Sequence, residues 1–407
     1  MNDSGGAAKT VHLHIGTMKT GTSYVQGNLE HSRHALARAG VLYPGSVGAA
    51  VHEVLEKHGA RHVGDTSGAW DELASKVRAW DGSGVIVSME FLTLASSEQA
   101  QRIVASLQPA DVRIVLTVRD LSRTIPSAWQ QTTKNRQTAS WSEFLAALTA
   151  DAVGGERTRE QFWRHHDLAR ITRTWSGVVG PDRMTVVTLP PRDSPSAVLW
   201  ERFCAATGLD SADYPVAETS RSNSSLGFAE AEMMRRLNLE LGRDVDQASY
   251  RRLVTGLISR RLLRRGAEPT PAAVLPVHVH EWAVQRSNEA VSDIRALGVR
   301  VVGDLTELVP PPVGDDQRAF DDSAAPVAST VAESDVATVA VRAVAALVTR
   351  LAELGDAEAR GGGHANAGEV GERRGGRGRP ERRDQPEVRA ERQAVRRAAR
   401  AVDLPPA

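Results

Sequence analysis

Short, nearly continuous apolar runs recur along the first half of the chain, and stretches with helical spacing separate them. The four runs are Val11 to Ile15, Val85 to Ser88, Val112 to Val118 and Met184 to Leu189. Runs without polar alternation are typical of strands that are buried on both faces of a parallel sheet. Between them, residues 23–39 and 98–107 have apolar positions at helical spacing. The pattern therefore predicts an α/β fold, with a parallel sheet flanked by helices.

The second half of the chain has a mainly helical pattern. Helical spacing extends over residues 196–207, 226–241 and 278–297, and a last short strand is expected at Arg300 to Val302. Earlier in the chain, Gly40 to Pro44 reads as a short strand bounded by Gly and Pro, which we expect to join the sheet beside the first strand.

Changes in composition divide the 407 residues into five parts. We expect a flexible segment at 1–10, one large domain at 11–312 and a linker rich in Asp, Ala, Ser and Pro at 313–330. Val, Ala and Leu at helical spacing predict an amphipathic helix at 331–355, whose apolar face needs a partner and is a candidate for self-association. Residues 356–407 are Arg- and Gly-rich and are expected to be a disordered basic tail.

Charge and composition narrow the function classes. The formal net charge is zero, so no overall field draws the chain to nucleic acid or to an anionic membrane. The single cysteine, Cys204, rules out an internal disulfide and a cysteine-based metal cage. Neither a secretory h-region nor an apolar run of 18 residues occurs. We therefore expect a soluble cytoplasmic protein that has no membrane span and no specific nucleic-acid partner.

The first apolar run leads into a glycine-bounded turn, and a helix begins directly after it. Gly16 and Gly21 have the spacing of a phosphate-binding P-loop, but Thr22 occupies the position of the usual lysine, and the lysine comes three places earlier at Lys19. Backbone N–H groups of residues 19–23, which include Thr20 and Ser23, would point toward a phosphate at the helix N-terminus. The displaced lysine argues against an ordinary nucleoside-triphosphatase loop, which also needs a magnesium ligand.

This segment resembles the 5′-phosphosulfate loop of sulfotransferases that use 3′-phosphoadenosine 5′-phosphosulfate. A second segment resembles the 3′-phosphate motif of the same family, because the strand at 112–118 is followed by Arg119 and, eight residues later, by Ser127. The resemblance covers roughly residues 10–310. It implies that this donor is the co-substrate, that Lys19 contacts the 5′-phosphate and the bridging oxygen, and that Arg119 and Ser127 hold the 3′-phosphate.

The resemblance is not complete. Cytosolic sulfotransferases place an Arg-Lys-Gly turn on the 3′-phosphate, and this chain has no such triplet in the corresponding region, where Arg221 is the candidate substitute. This departure argues against the steroid and phenol branch. Arg123 is an alternative phosphate ligand or a partner of Asp120.

The acceptor needs a general base, and Glu90 is the first candidate because it follows the second buried strand. It should therefore lie at the same sheet edge as Lys19 and Arg119. His52 is the alternative base, and His14, inside the first strand, is expected to be a hydrogen-bonded core residue.

Together with the resemblance, these residues predict an enzyme that transfers a sulfonate group in line, without a metal, to a hydroxyl or amine of a small molecule, a glycan or a glycolipid. Two alternatives remain open, a P-loop kinase of nucleotides or small molecules and a non-catalytic nucleotide-binding scaffold. The acceptor is selected by a pocket of loops and helices, whose arrangement depends on the fold and not on a local motif.

Overall fold

The structure is a computed structural model of the chain. It describes residues 9–56, 66–149, 155–217, 226–259, 270–271, 273–312 and 331–362. Within these residues the strands are β1 Thr10–His14, β2 Val41–Leu42, β3 Gly84–Ser88, β4 Asp111–Val118, β5 Met184–Thr188 and β6 Arg300–Val302. All the pairings between them are parallel, in the order β2-β3-β1-β4-β5-β6. The predicted parallel sheet is confirmed.

Helices follow the strands in alternation through the first half. They are α1 Thr22–His31, α2 Arg33–Arg38, α3 Gly48–Val54, α4 Ala69–Ala79, α5 Ser97–Ser106, α6 Leu121–Lys134, α7 Trp141–Thr149, α8 Glu156–His166, α9 Leu168–Val179 and α10 Val198–Thr207. The second half adds α11 Phe228–Leu241, α12 Gln247–Tyr250, a π-helix Arg251–Ser259, α13 Val277–Ala296 and α14 Glu333–Gly362. The α/β class and the helical second half are therefore as predicted.

Alternate residues of the strands pack against helices on opposite faces of the sheet. Val85 and Val87 of β3 belong to the core formed with α3, α4, α5, α9 and α13, whereas Ile86 belongs to the core formed with α1, α2 and α10. A third cluster, rich in tryptophan and phenylalanine, joins α6, α7, α8, α11 and α13. Both faces of the sheet are thus covered, which explains the lack of polar alternation in the strand sequences.

The short strand at Gly40 to Pro44 forms as Val41–Leu42, but its predicted position is wrong. It pairs with β3 at the edge of the sheet, opposite Gly84 and Val85, and not with β1. The Gly84 N–H donates to Gly40 O at 3.1 Å, which anchors this edge. A two-residue strand has too few side chains to specify its neighbour from the sequence. The central strand β1, by contrast, pairs with β3 and with β4 through five residues each.

Two other expected boundaries differ. The helix expected at 23–39 is divided into α1 and α2 at Ser32, whose N–H still bonds Asn28 O. The helix α14 continues to Gly362, past its predicted end at 355. The linker at 313–330 and residues 363–407 of the predicted tail lie outside the described residues.

Candidate functional site at the ends of β1, β3 and β4

The order of the strands creates a crevice between β1 and β4. The chain leaves β1 toward β2 and β3 on one side, whereas it leaves β4 toward β5 and β6 on the other. Ligands of open α/β sheets bind at such a change of direction, beyond the carboxyl ends of the strands. The Lys19 loop follows β1 and Arg119 follows β4, so both lie at this crevice.

The loop after β1 is tightly folded. Gly16, Lys19 and Gly21 all have left-handed backbones, with φ of 65°, 67° and 80°. A Cβ on Gly16 would lie 2.7 Å from the Cβ of Glu90, so glycine is required there by both backbone conformation and space. Lys19 has the same left-handed conformation although it has a Cβ, which is uncommon and is found mainly where the surrounding structure imposes it.

The loop is joined to β4 by hydrogen bonds. The Thr17 N–H donates to Thr117 O at 2.7 Å, and Thr20 Oγ1 donates to Thr17 O at 2.6 Å. Thr20 Oγ1 also lies 2.8 Å from Thr117 Oγ1, which in turn lies 3.2 Å from His14 Nε2. This series of contacts places the loop at a fixed position relative to β4.

His14 completes the network from inside β1. Its Nδ1 lies 2.8 Å from Ser88 Oγ of β3, so its ring bridges three neighbouring strands. Burial lowers the pKa of His14 to about 3, and the ring is therefore neutral at physiological pH. The residue is a hydrogen-bonded core histidine, as the sequence suggested.

The N-terminus of α1 faces the same crevice. Its N-cap residue is Gly21, and no side chain of the described segments caps the first turn, which begins at Thr22 and Ser23. Thr22 is buried and its Oγ1 donates to Thr17 O at 3.4 Å, while Ser23 is exposed. An uncapped helix N-terminus after a glycine turn provides backbone N–H groups and a positive partial charge, which favour a phosphate.

The half-buried Lys19 side chain reaches helix α6. Its Nζ donates to Gln131 Oε1 at 2.6 Å. The pKa of Lys19 is lowered to about 8, first by burial and then by the nearby charges of Lys134 and Arg119, whereas Glu90 acts in the opposite direction. Lys19, Arg119 and Glu90 are therefore close enough to interact electrostatically.

Arg119 and Ser127 meet at the beginning of α6. Arg119 Nη2 donates to Ser127 Oγ at 3.0 Å and to Arg123 O at 2.6 Å. Burial, followed by the charges of Arg123 and Arg192, lowers the pKa of Arg119 to about 10, with Asp120 opposing. The eight-residue spacing thus brings a guanidinium and a hydroxyl together, a suitable pair for an anion.

Arg123 has a separate role. It donates from Nε to the buried Asp120 carboxylate and from Nη1 to Pro190 O at 3.0 Å. Of the two alternatives, the structure therefore shows the Asp120 partner. Asp120 also caps α6 by accepting from the Arg123 N–H, which fixes the first turn of the helix. The Arg123 carbonyl of this turn accepts from Arg119.

The two candidate bases both adjoin Phe91. Glu90 begins a 3₁₀ turn directly after β3 and lines a cavity of about 380 Å³ with Gln26 and Tyr43. His52, on α3, packs its ring against Phe91 at 5.4 Å between centroids. Glu90 thus adjoins the loop through Gly16, whereas the contact of His52 is with the Phe91 ring. Arg221 lies outside the described residues.

Sequence reasoning did not single out Gln131 or Thr117. Gln131 follows Ser127 by four residues on α6 and therefore lies on the same face of the helix. Thr117, on β4, precedes Arg119 by two residues, which is the repeat of a strand. Gln131 and Lys19 line a small cavity of about 90 Å³ with His165 and His166 of α8. The packing of α8 beside the loop depends on tertiary contacts, and no local sequence pattern predicts it.

The described residues contain no helix with the length and apolarity to cross a membrane. In the same residues, no group of three or more His, Cys, Asp or Glu side chains is arranged to hold a metal ion.

No family model and no curated protein matches the chain. Among solved structures, a sulfotransferase from Alicyclobacillus acidocaldarius is similar, with 18% sequence identity and a TM-score of 0.36 over 60% of this chain and 100% of that one. A likeness of this size does not define the activity of the chain.

Proposed function

We propose that the chain is a sulfotransferase that moves a sulfonate group from 3′-phosphoadenosine 5′-phosphosulfate to a hydroxyl or amine acceptor. The observation that carries the proposal is the pair of anion-binding groups at the ends of adjacent strands. The loop of Lys19 follows β1 and the Arg119–Ser127 pair follows the adjacent strand β4; after burial, the charges of Lys134 and Arg119 lower the pKa of Lys19. An anionic ligand between these groups would favour the charged form of Lys19.

In this proposal the loop binds the 5′ end of the donor. The N–H groups of residues 19–23 and the hydroxyls of Thr22 and Ser23 surround the 5′-phosphate, and Gly16 and Gly21 allow the close approach. Arg119 and Ser127 bind the 3′-phosphate, for which a guanidinium and a hydroxyl 3.0 Å apart are well suited. Arg221 is proposed as a further contact to this phosphate.

The transfer step balances without a redox partner. The acceptor oxygen or nitrogen attacks the sulfur in line, the bond from sulfur to the bridging oxygen breaks, and 3′-phosphoadenosine 5′-phosphate leaves. Lys19 stabilises the negative charge that develops on the bridging oxygen, and Glu90 accepts the acceptor's proton. The cations and N–H groups of this chain neutralise the leaving group, so we propose that the step is metal-independent.

A binding measurement tests the donor class. The full chain is titrated by calorimetry with 3′-phosphoadenosine 5′-phosphate, with and without EDTA, and in parallel with ATP plus Mg²⁺. We expect micromolar or tighter binding of the first that EDTA does not change, and at least about tenfold weaker binding of ATP. Tighter binding of ATP with Mg²⁺ would instead support the kinase alternative and would contradict the proposal.

Variants in an assay of labelled-sulfonate transfer test the proposed roles of Lys19 and Glu90. Lys19→Ala should lower kcat by about 10²- to 10³-fold, the typical effect of removing one preorganised donor. Glu90→Gln should lower kcat by about 10²-fold or more while nucleotide affinity stays the same. Lys76→Ala and Glu72→Gln, two exposed residues of α4, serve as matched controls. If His52→Asn lowers kcat and Glu90→Gln does not, His52 is the base.

A further inference from the structure

A small cavity lies beside the Lys19 side chain. Its volume is about 90 Å³, the space of roughly three water molecules in the liquid. Helix α6 and the segment after it form one part of the wall, α8 and Phe144 of α7 form another, and Met18 and Lys19 complete it. The cavity can therefore take a group of a few heavy atoms, and the rest of a larger acceptor would stay outside.

The charges of the cavity wall are few. Among the wall residues that the structure describes there is no carboxylate and no arginine, and Lys19 is the only lysine. His166 of this wall is neutral, because burial and then the neighbouring His165, Arg119 and Lys19 lower its pKa to about 3. With Lys19 assigned to the donor, a carboxylate or an ammonium group that entered would lose water without gaining an ion-pair partner from these residues.

Two amides of α6 have a defined orientation beside Lys19. The ammonium of Lys19 can only donate, so the Gln131 atom that it contacts at 2.6 Å must be the amide oxygen. The Gln131 nitrogen is then the donor to Asn135 Oδ1 at 3.2 Å. Asn135 Nδ2 makes no hydrogen bond within the described segments. Gln131 Oε1 thus keeps a second lone pair for a ligand, and Asn135 keeps its NH₂ group.

Three further polar side chains of the wall have unused hydrogen-bonding capacity. The side chains of Gln137, Thr158 and Gln161 make no hydrogen bond with any residue that the structure describes. Gln137 and Gln161 are exposed and Thr158 is half-buried. A carboxylate only accepts hydrogen bonds and an ammonium only donates them, whereas alcohols, like amides, do both. The polar part of the wall therefore suits hydroxyl groups.

The remaining wall is mostly apolar. The buried rings of Phe144 and Phe162 lie 6.3 Å apart in an edge-to-face arrangement, and Met18, Ala128 and Ala139 also line the cavity. An apolar wall with a few polar groups that fix the orientation is the usual form of a small-molecule site. The carbon–hydrogen face of a polyol can pack on such a surface.

The cavity adjoins both groups that the proposed function uses in the transfer step. Lys19 is part of its wall. Helix α8, which supplies another part, packs against the 3₁₀ turn that begins at Glu90. The His165 ring of this wall lies 6.5 Å from the ring of Phe91, the residue after Glu90. A group bound in the cavity is therefore beside the lysine and near the turn of the candidate base.

We propose that the acceptor is an uncharged polyhydroxylated molecule, a polyol or a sugar, that inserts two neighbouring hydroxyl groups into this cavity. One hydroxyl lies beside Lys19 and Gln131, attacks the sulfur and loses its proton to Glu90, while Asn135 Nδ2 donates to the other. The inference rests on the proposed function and adds to it the class of the acceptor. It excludes acids and amines as the preferred acceptors.

Three small ligands of similar shape test the preference for an uncharged group. Glycerol, glycerate and 3-amino-1,2-propanediol are titrated by ligand-observed NMR onto the full chain saturated with 3′-phosphoadenosine 5′-phosphate. The pH is about 8, where histidines with the ordinary pKa of about 6.5 are neutral. We expect glycerol to bind at least about tenfold more tightly than either ion, because a charged group would be buried without a partner. Equal or tighter binding of either ion, or no saturable binding of glycerol, would overturn the inference.

Asn135→Ala tests the contact to the second hydroxyl. It should weaken glycerol several-fold and leave 1-propanol, which has no neighbouring hydroxyl, unchanged, whereas a merely structural effect would weaken both. Asn288→Ala, at an exposed asparagine of α13, is the matched control and should bind both alcohols like the wild type. An unchanged glycerol affinity in Asn135→Ala, or an equal loss for both alcohols, would contradict the inference.

Nucleotide affinity is measured separately and should stay within about twofold of the wild type in Asn135→Ala, because Asn135 is not assigned to the donor. Failure of the nucleotide to bind to the wild type would instead contradict the proposed function. The ligands would then be compared on the nucleotide-free chain, where glycerol should still bind more tightly than the amine. Loss of that preference would count against the class of acceptor itself.

Discussion

At the scale of single residues, Lys19 has the most unusual environment of the site. Its ammonium is half-buried, lies near two other cations, and donates to the neutral Gln131 Oε1 instead of to a carboxylate. These conditions disfavour the charged form and bring its pKa to about 8. An anionic ligand would reverse the balance, because it favours the protonated lysine.

This pKa predicts how nucleotide binding depends on pH. Lys19 is protonated below about pH 8 and loses its charge above that value, so the affinity for 3′-phosphoadenosine 5′-phosphate should fall as the pH rises from 7 to 10. The phosphate monoester has a second pKa of about 6 and is mostly ionised in this range, and its remaining ionisation would raise the affinity. A fall in affinity therefore reports a group of the protein. Calorimetric titrations at successive pH values measure it.

A lysine-to-arginine exchange is the control for the assignment. Lys19→Arg should flatten most of the profile, because a guanidinium stays charged to a higher pH than an ammonium: the buried Arg119 has a pKa of about 10, whereas Lys19 has one of about 8. Lys76→Arg, on the exposed face of α4, should leave the wild-type profile unchanged. A wild-type affinity that is constant from pH 7 to 10 would contradict the assignment of Lys19 to the phosphate.

At the scale of elements, the Thr20–Thr117–His14 network connects the loop to three strands. Thr117→Val keeps the shape of the side chain but removes the hydroxyl that lies near both His14 Nε2 and Thr20 Oγ1. We expect the free energy of unfolding to fall by about 1–2 kcal/mol, as buried hydrogen-bond partners are lost, and the nucleotide affinity to fall several-fold as the loop is less fixed. Urea unfolding and calorimetry measure the two effects.

The matched control is Thr172→Val on α9. Thr172 is equally buried, but its Oγ1 makes no hydrogen bond to any part of the chain that the structure describes. The substitution therefore removes an unsatisfied polar group and should leave stability unchanged or slightly higher. Nucleotide affinity should not change. If both variants bind the nucleotide like the wild type, the network stabilises the sheet without positioning the loop.

Parts of the site that lie within one short segment of the chain could be predicted from the sequence. The turn between Gly16 and Gly21 and the spacing from Arg119 to Ser127 each lie within one loop or one helix, so a single chain segment determines their geometry. The neighbour of β2 and the contact of Lys19 with Gln131 depend on how remote segments pack. The same is true of the small cavity beside Lys19, which sequence periodicity does not encode.

At the scale of the whole molecule, α14 extends the fold beyond the sheet domain. Its buried residues Val336, Val339 and Ala343 pack against Met233 and Met234 of α11. Arg236 strengthens the contact because it bonds both Glu232 and Glu333. The apolar face that required a partner thus has one within the chain.

A second apolar face of α14 remains exposed. Its residues Val341, Val344, Val348 and Leu351 are each more than half exposed, and they follow one another by three, four and three positions. This is the spacing of a coiled-coil seam, which a second copy of the same helix fits because each seam offers the same apolar residues to the other. Self-association through this helix therefore stays a prediction.

Light scattering after size-exclusion chromatography tests this prediction across a range of concentrations. The wild type should show a dimer that the double variant Val344→Lys and Val348→Lys converts to a monomer, because each chain would bring two lysine charges to the seam, four in the dimer. Thermal stability of the monomer should change little, since both valines are mostly exposed in the single chain. Leu239→Lys combined with Val274→Lys, at exposed apolar positions outside the seam, is the control and should remain dimeric. A wild type that is monomeric at all concentrations would show that the seam has no partner in solution.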